Sequence, residues 1–334
     1  MLQALHILTL LNLSGYGRNT VHGILGVTEF VPSTLQDLMD IIKDSSEKVA
    51  RVKVPEQVML ENAYKKAQLS LERCERLGIK VLGFNDPEFP VRLKVIPNPP
   101  VLIFVRGNLD SLNSELSVAV IGTREPSSYG GLCGNRFGKI FAEKGLVVVS
   151  GLAKGIDTTG HRGCIEGGGQ TIAVLAQGLD TPVYPKENRD LAEEIIATGG
   201  CLISEYDLGE RGRPNFFVER DRLQSGLSAG VVVIETDIKG GTMHTVGFCL
   251  EQGKPLGCLN HPEKFLINND KSRGNQKLIK DGKAIPLFSV DDIELFLSKM
   301  KRTSEVQYVP KELPVKKPSV KSNPDDDVEQ MTLF

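Results

Sequence analysis

The chain has 334 residues and a hydrophobic content of 40%, enough for one large domain with a sizeable core and a smaller domain beside it. Its formal net charge of −2 excludes a global basic field, so any site for nucleic acid must be a local patch. The six cysteines have no CxxC spacing, which argues against a zinc site and a disulfide framework and favours a reducing compartment.

The N-terminal segment is apolar but lacks the features of an export signal. Residues 1–13 carry no basic lead and no small-residue cleavage site, and no apolar run in the sequence approaches membrane-spanning length. We therefore expect a cytoplasmic protein without a membrane partner, a metal or a cofactor.

Residues 1–75 are predicted to form a small all-helical domain, because apolar residues recur at helical spacing without strand-like alternation. The segment Leu11–Leu25 predicts a short helix, a turn containing Gly15 and Gly17, and a second helix. This arrangement resembles a helix–hairpin–helix (SAM-like) unit, whose turn amides can touch DNA phosphate. The alternative is a tight interhelical turn that needs glycine for its positive φ.

Residues 76–298 alternate between strand-like and helical segments. Apolar, β-branched runs predict strands at Lys80–Phe84, Val101–Arg106, Ser117–Ile121, Leu146–Val149, Thr171–Ala176, Cys201–Ser204, Val231–Glu235 and Pro255–Leu259. Stretches of helical length include Tyr129–Lys144, Asn188–Thr198, Asn215–Gly226 and Thr242–Gln252. This alternation predicts an α/β fold with a doubly wound parallel sheet.

Two glycine-containing loops follow predicted strands and favour phosphate binding. Free backbone N–H groups at the start of each following helix point outward, and the helix dipole favours negative charge there. The predicted phosphate-binding residues of these loops are Gly122, Thr123, Arg124, Ser127, Gly151 and Gly155. Arg124 adds a planar guanidinium suited to phosphate. Since both loops follow strands of one parallel sheet, they should lie side by side at its carboxyl edge.

Further glycine and basic residues follow later strands and should gather at the same edge. The candidates are Lys186, Asn188, Arg220, Arg222, Gly240, Gly241 and Thr242. Asn188 is also placed to cap a helix. Each of these residues also has an alternative role without a ligand. A glycine pair can simply permit a tight turn, and the two arginines can form salt bridges on a helix face.

The order and spacing of these segments resemble the DNA-processing protein A (DprA/Smf) family over about residues 1–290. The family motifs match Gly122–Gly130, Ser150–Asp157, Tyr184–Asn188, Leu202–Tyr206, Phe217–Ser228, Gly240–Thr245 and Ser272–Ala284. The resemblance implies an extended Rossmann fold that binds single-stranded DNA and forms a homodimer. It also implies help in loading a RecA-type recombinase, as in DNA recombination and natural transformation. It places the DNA pocket at Arg124, at Lys186 beside Asn188, and at the arginines of Phe217–Ser228.

Several departures from the family pattern affect these expectations. Val218 stands where the family usually has proline, and Asp221 separates two arginines that an asparagine usually separates. A carboxylate at position 221 should weaken phosphate binding unless an arginine pairs with it. Residues 223–225 replace an apolar pair and an alanine, so the helix is expected to pack or dimerise differently. Many members also carry a C-terminal winged helix, which the short residues 299–334 are not expected to form.

Residues 299–334 are predicted to be a disordered tail, because prolines alternate with lysines and hydrophobic residues are sparse. Gln330, Met331, Leu333 and Phe334 resemble the pentapeptide that binds the bacterial replication sliding clamp. The alternative is an apolar end without a partner, and the preceding acidic residues 325–327 have no rationale in a clamp-binding segment.

An enzymatic function is the competing hypothesis. The related lysine-decarboxylase-like (LOG) proteins hydrolyse nucleoside monophosphates with a PGGxGTxxE motif. This chain instead has KGGTMHTV, which lacks the second Gly-Thr step and is followed by no glutamate until Glu251. Four groups could form a catalytic set, and each could equally be a cap or a hydrogen-bond partner: Asp157, Glu205, Glu235 and His244. We expect no catalysis, and a DNA-independent nucleotide sensor is a third hypothesis.

Overall fold

The computed structural model describes residues 2–266 and 269–307. The N-terminal helices are α1 (Ala4–Leu11), α2 (Arg18–Val27), α3 (Leu35–Lys48) and α4 (Gln57–Arg76). The following elements are β1 (Ile79–Gly83), α5 (Val91–Lys94), β2 (Leu102–Gly107), β3 (Ser117–Ile121), α6 (Ser128–Glu143), β4 (Val147–Ser150), α7 (Ile156–Glu166), β5 (Thr171–Leu175), α8 (Arg189–Ala197), β6 (Cys201–Ser204), α9 (Pro214–Leu227), β7 (Gly230–Val233), α10 (Thr242–Glu251), β8 (Leu256–Leu259), α11 (Arg273–Lys280), β9 (Ile285–Leu287) and α12 (Val290–Gln307).

Within the described residues, nine strands form one sheet in the order β1-β2-β6-β5-β4-β3-β7-β8-β9. In the part of the sheet that runs β6-β5-β4-β3-β7-β8-β9, every pair of neighbouring strands is parallel. The predicted doubly wound α/β sheet is therefore confirmed. Its first two strands differ from the expectation, because β1 pairs antiparallel with β2 and β2 antiparallel with β6. Only the four-residue helix α5 lies between β1 and β2, too little for the crossover that a parallel pair needs.

Strand β3 is buried along its whole length because helices cover both of its faces. Val118 and Val120 pack with residues of α6, α7 and α12, whereas Ala119 and Ile121 pack with residues of α10 and α11. Burial on both faces explains why this strand is a continuous apolar run in the sequence. Strand β3 lies between β4 and β7, so the winding direction reverses here. The crevice at such a reversal is where open α/β sheets hold ligands.

The N-terminal helices share their apolar core with one side of the sheet. Ile7, Ile24 and Leu60 belong to the same buried cluster as Phe104 of β2 and Leu202 of β6. Helix α4 ends at Arg76, close to the predicted domain boundary. The elements on the two sides of that boundary are therefore packed together rather than joined by a bare linker.

The last described helix corrects the predicted start of the tail. Helix α12 continues through residue 299 to Gln307, so residues 299–307 are helical. The physical reason is helical spacing, because Phe296 and Met300 are four residues apart and both fully buried. The clamp-like residues Gln330, Met331, Leu333 and Phe334 lie outside the described part of the chain.

Candidate functional site

A cleft of about 790 Å³ opens at the carboxyl edge of the sheet, at the β3/β7 reversal. Loops after β3, β4 and β7 and one face of α9 line it. The predicted site residues that line the cleft are Gly122, Thr123, Arg124, Arg220, Gly240, Gly241 and Thr242. The others, Ser127, Gly151, Gly155, Lys186, Asn188 and Arg222, do not line it.

The loop between β3 and α6 is closed on an internal carboxylate. Ser127 Oγ and N donate to Glu235 at 2.5 and 2.8 Å, and Thr123 N donates to the Glu235 carbonyl at 2.7 Å. Burial raises the pKa of Glu235, but contacts from His261, Ser127 and Asn269 outweigh it, and the pKa falls below its ordinary value. The Glu235 carboxylate thus takes the place that we expected for a phosphate at the start of α6.

The loop between β4 and α7 is also closed on a carboxylate. Gly151 N and Ala153 N donate to Asp157 Oδ2 at 3.1 and 3.3 Å. Burial raises the pKa of Asp157, and nearby Arg220 and these amides partly oppose that rise. Gly155 has a φ of +81°, and a Cβ there would lie 2.4 Å from the Thr123 carbonyl oxygen. Gly155 therefore permits close approach of the two loops.

Asn188 braces the β4–α7 loop from outside the cleft. Its amide donates to the Leu152 and Ala153 carbonyls at 2.8 and 3.2 Å and to Thr158 Oγ1 at 2.8 Å. It stands at the N-cap position of α8 without capping that helix through its side chain. Lys186 is exposed on a neighbouring shallow pocket, whose other cations are Lys154 and Arg189.

The two arginines of α9 are buried and internally bonded. Arg220 is 4% exposed, and its Nη1 donates to the Gly151 carbonyl at 2.7 Å and also to the Val174 carbonyl. Arg222 is 2% exposed, and its Nη2 donates to both oxygens of Glu205 at 2.7 and 2.6 Å. For these two arginines the structure therefore favours internal bonding, the alternative to phosphate binding given above. Arg220 nevertheless borders the floor of the cleft.

The helical hairpin directs its arginine toward the sheet domain. Arg18, at the start of α2, donates to Glu205 Oε1 at 3.0 Å and to Asn98 Oδ1 at 3.0 Å. Arg222 Nε donates to the Asn98 carbonyl at 3.0 Å. Arg18 of α2 and Arg222 of α9 therefore both bind Glu205, which links the N-terminal helices to α9. Gly15 has the positive φ of +84° expected for a tight turn.

Two cations at the cleft mouth form no ion pair among the described residues. Arg124 and Lys239 are exposed and form none. The Arg124 guanidinium lies 5.5 Å from the centre of the Phe217 ring, and Tyr184 meets that ring edge-on at 5.8 Å. Lys271 lines the same cleft and pairs with Glu125 at 3.5 Å. Lys239, Lys271 and the two aromatic rings were not among the site residues predicted from the sequence. The rings could have been found, because Tyr184 and Phe217 each begin one of the matched family segments.

The N-terminus of α10 is the helix start that stays open to the cleft. Within the described chain no acceptor meets the N–H groups of Gly241 and Thr242, while Met243 N and His244 N donate to the Gly240 and Gly241 carbonyls. A Cβ added at Gly241 would meet nothing within 4 Å. These two N–H groups, with the helix dipole, can hold an anion beside Lys239.

The suggested catalytic set does not assemble. Glu205 is held by Arg18 and Arg222, and Glu235 is held by Ser127, which leaves Asp157 and His244 at the cleft. In the residues that the structure describes, no group of three or more His, Cys, Asp or Glu side chains could hold a metal ion. Nor does any helix in 2–266 or 269–307 have the length and apolarity to cross a membrane.

A mostly parallel sheet with an open, cation-rimmed cleft at its winding reversal defines an α/β protein of the kind that holds ligands at this edge. The family model for DNA recombination-mediator protein A matches residues 80–298. The chain belongs to this DprA/Smf family.

The comparisons with individual proteins agree. The chain is 34% identical to the DNA processing protein DprA of Bacillus subtilis, over 70% of this chain and 76% of that protein. It is 38% identical to the protein Smf of Escherichia coli over 59% of this chain, which is 51% of that protein. The X-ray structure of Streptococcus pneumoniae DprA matches with a TM-score of 0.71 and 30% identity, over 87% of this chain and 97% of that one. Helicobacter pylori DprA, described for its single-stranded DNA binding mode, matches with a TM-score of 0.57 and 28% identity, over 66% and 96%.

Proposed function

We propose that this chain binds single-stranded DNA in the cleft and acts in DNA processing and recombination. The observation that carries the proposal is the unpaired Arg124 guanidinium over the Phe217 ring at the mouth of the cleft. Proteins that bind single strands combine a cationic groove for the backbone with aromatic rings for the bases. Family membership and the likeness to Helicobacter pylori DprA, which binds single-stranded DNA, support the same assignment.

In this assignment the two kinds of group have separate tasks. Arg124, Lys239 and the N–H groups of Gly241 and Thr242 hold phosphates, since all four positions line one cleft. Phe217 offers a face for base stacking. Duplex DNA keeps its bases paired and stacked inside the helix, so it cannot use this ring.

The strand continues from the cleft across Tyr184 to the pocket of Lys186. Tyr184 lines both pockets and is 56% exposed, so a strand can cross it without displacing a buried side chain. Lys186 and Arg189 supply cations there, whereas Lys154 is already paired with Glu187 at 2.7 Å. We expect Lys186→Ala to weaken the binding of long oligonucleotides more than the binding of short ones.

The test is a titration of the purified chain with single-stranded and duplex oligonucleotides of one length. Arg124→Ala should weaken single-strand binding by about 1–3 kcal/mol, the loss expected for charge-assisted bonds. It should also reduce the salt slope, because each phosphate neutralised contributes about 0.7 to the slope of log K against log salt.

Arg136→Ala is the matched control, because Arg136 is exposed on α6 and does not line the cleft. It removes the same charge and should leave affinity within about twofold, since an isolated surface change is worth little. Equal binding by Arg124→Ala and the parent would refute the cleft as the DNA site. Equal affinity for duplex would refute the single-strand assignment.

The partners follow from family resemblance. We propose that the chain forms a homodimer and helps a RecA-type recombinase to load on single strands. Sedimentation at micromolar concentration tests the dimer, and a monomer both with and without DNA would contradict it. Recombinase filament formation on DNA coated with single-strand-binding protein tests loading, and it should fail with Arg124→Ala.

The segment ending in Gln330, Met331, Leu333 and Phe334 is proposed to bind the replication sliding clamp. Leucine and phenylalanine can fill an apolar cleft, methionine adapts to an irregular wall, and glutamine both gives and accepts hydrogen bonds. Ordering a short segment is costly, so affinity should be about micromolar. Fluorescence anisotropy of the peptide with purified clamp tests this. Replacing Leu333 and Phe334 by alanine must abolish the signal, and persistence of binding would refute it.

We expect no catalysis, because the cleft holds only two of the four suggested groups. Incubation with nucleoside monophosphates should release no free base. The expected site of action is the cytoplasm, where DNA and a recombinase meet.

A further inference from the structure

Helix α9 presents one stripe of side chains to the cleft. Pro214, the adjacent pair Phe217 and Val218, Asp221 and Gln224 all line it, and these four levels are separated by three or four residues. Such steps place side chains on one face of a helix. Asp221 therefore lies one turn from Phe217, about 6 Å further along the helix axis. An aromatic face and a carboxylate at this separation match the stacking face and the hydrogen-bonding edge of one nucleobase.

The Asp221 carboxylate lines the cleft and also has partners inside the protein, because Arg220 and Thr245 stabilise its ionised form. The Asp221 side chain is 15% exposed, and its Oδ1 lies 3.3 Å from Arg220 Nε. Arg220 itself is committed to the Gly151 and Val174 carbonyls. Asp157 also lines the cleft and lies close enough to Arg220 and Asp221 to interact with both, so the cleft floor carries two carboxyls against one guanidinium.

Such a floor disfavours a phosphate and favours N–H donors. An ionised carboxylate has only acceptors. Guanine presents two adjacent donors on its Watson–Crick edge, the ring N1–H and the exocyclic amine, which a carboxylate can accept together. Adenine and cytosine present one exocyclic amine beside an acceptor, and thymine presents one ring N–H between two acceptors.

We propose that Asp221 reads the Watson–Crick edge of a base stacked on Phe217 and selects guanine. This inference rests on the proposed single-strand binding and adds a base preference to it. The strand backbone is held elsewhere in the cleft, so the preference acts at one nucleotide of the bound strand.

The protonation of Asp221 gives the preference a pH dependence. Burial raises the pKa of Asp221 to about 6, nearby Asp157 adds to this rise, and Arg220, Thr245 and His244 oppose it. Near pH 7.5 the group is mostly ionised and accepts both donors of guanine. Below pH 6 it gains a proton and loses one acceptor, so the preference for guanine should fade. Asp157, His244 and Arg220 face the same group and remain in every variant of the test.

The experiment is fluorescence anisotropy at pH 7.5 with a thymidine oligonucleotide that carries one central dG, dI, dA or dC. We expect the dG strand to bind about tenfold more tightly than all-thymidine, dA or dC strands, with dI between them because it lacks the exocyclic amine. Asp221→Asn keeps the shape but removes one acceptor. It should reduce the preference below about twofold and leave thymidine binding unchanged or stronger. At pH 5.5 the parent should resemble this variant.

Glu125→Gln is the matched control, because Glu125 lines the same cleft with a side chain that is 87% exposed. It removes the same charge and should keep the preference for dG. Equal binding of all strands by the parent, or a preference that survives in Asp221→Asn, overturns the inference while leaving single-strand binding intact. Failure of the parent to bind any strand overturns the proposed function and this inference with it.

Discussion

At the scale of single residues, Arg124 and Arg220 border the same cleft in opposite environments. Arg220 is buried and satisfies the Gly151 and Val174 carbonyls beside two carboxyls, whereas Arg124 is exposed. Arg220→Ala should therefore lower the free energy of unfolding by about 3–5 kcal/mol, because it strands buried carboxyls. Arg124→Ala should change it by less than about 0.5 kcal/mol. Urea unfolding of both variants measures the contrast, and equal stabilities would contradict it.

Residue types in the sequence predicted loops with the donors that a phosphate site needs, but not which of those donors remain free. Ser127 and Gly151 occur in loops of the predicted form, yet their donors meet Glu235 and Asp157. Glu235 is 108 residues from Ser127 in the chain, so no local pattern could reveal the pair. Gly241 N stayed open because no carboxylate of the described residues accepts from it. Whether the N–H groups of such a loop are free or already bonded to an internal carboxylate depends on tertiary contacts.

At the scale of elements, the apolar runs predicted β3 to β8 well because both faces of each strand are buried. Such runs carry no information on the direction of pairing, which is why the antiparallel β1–β2–β6 edge was not foreseen. Strand β9 is three residues long and contains Pro286, so its pattern is too short to recognise.

The C-terminus of α9 depends on a lysine from the next part of the fold. Lys254 is 7% exposed, and its Nζ donates to the Ser225 and Gly226 carbonyls at 2.6 and 2.7 Å. Burial lowers the pKa of Lys254 to about 7. The folded state therefore binds fewer protons here than the unfolded state, and this lysine's contribution to stability rises as pH increases from about 7 toward 10.

Lys254→Met should leave these carbonyls without a partner and destabilise the protein by about 2 kcal/mol at pH 9. The deficit relative to the parent should shrink by about 1 kcal/mol per pH unit as pH falls toward 7, because the parent then carries a buried ammonium. Urea unfolding at pH 7 and pH 9 gives the two differences. A deficit that is equal at both pH values would show that Lys254 does not titrate in this range.

At the scale of the whole molecule, the helical segment and the sheet domain are joined by a shared core and by the ion pairs at Glu205. Ile7 and Ile24 pack in the cluster of Phe104, and Glu205 accepts from Arg18 of α2 and Arg222 of α9. An interface with both features should make the two parts unfold together. We therefore expect one cooperative transition, with circular dichroism and tyrosine fluorescence giving coincident urea curves.

Glu205→Gln tests how much of this coupling depends on charge. It leaves the Arg18 and Arg222 guanidiniums facing each other without a counter-charge, at side-chain exposures of 22% and 3%. Removing one partner of a buried pair typically costs about 3–5 kcal/mol, and the exposure of Arg18 reduces this to about 2–3 kcal/mol. Arg18→Gln in the same background should recover part of the loss, since one unpaired charge is gone. Two separate transitions in the parent would contradict the predicted cooperative unfolding, and a double variant less stable than Glu205→Gln would contradict charge repulsion as the cause of the loss.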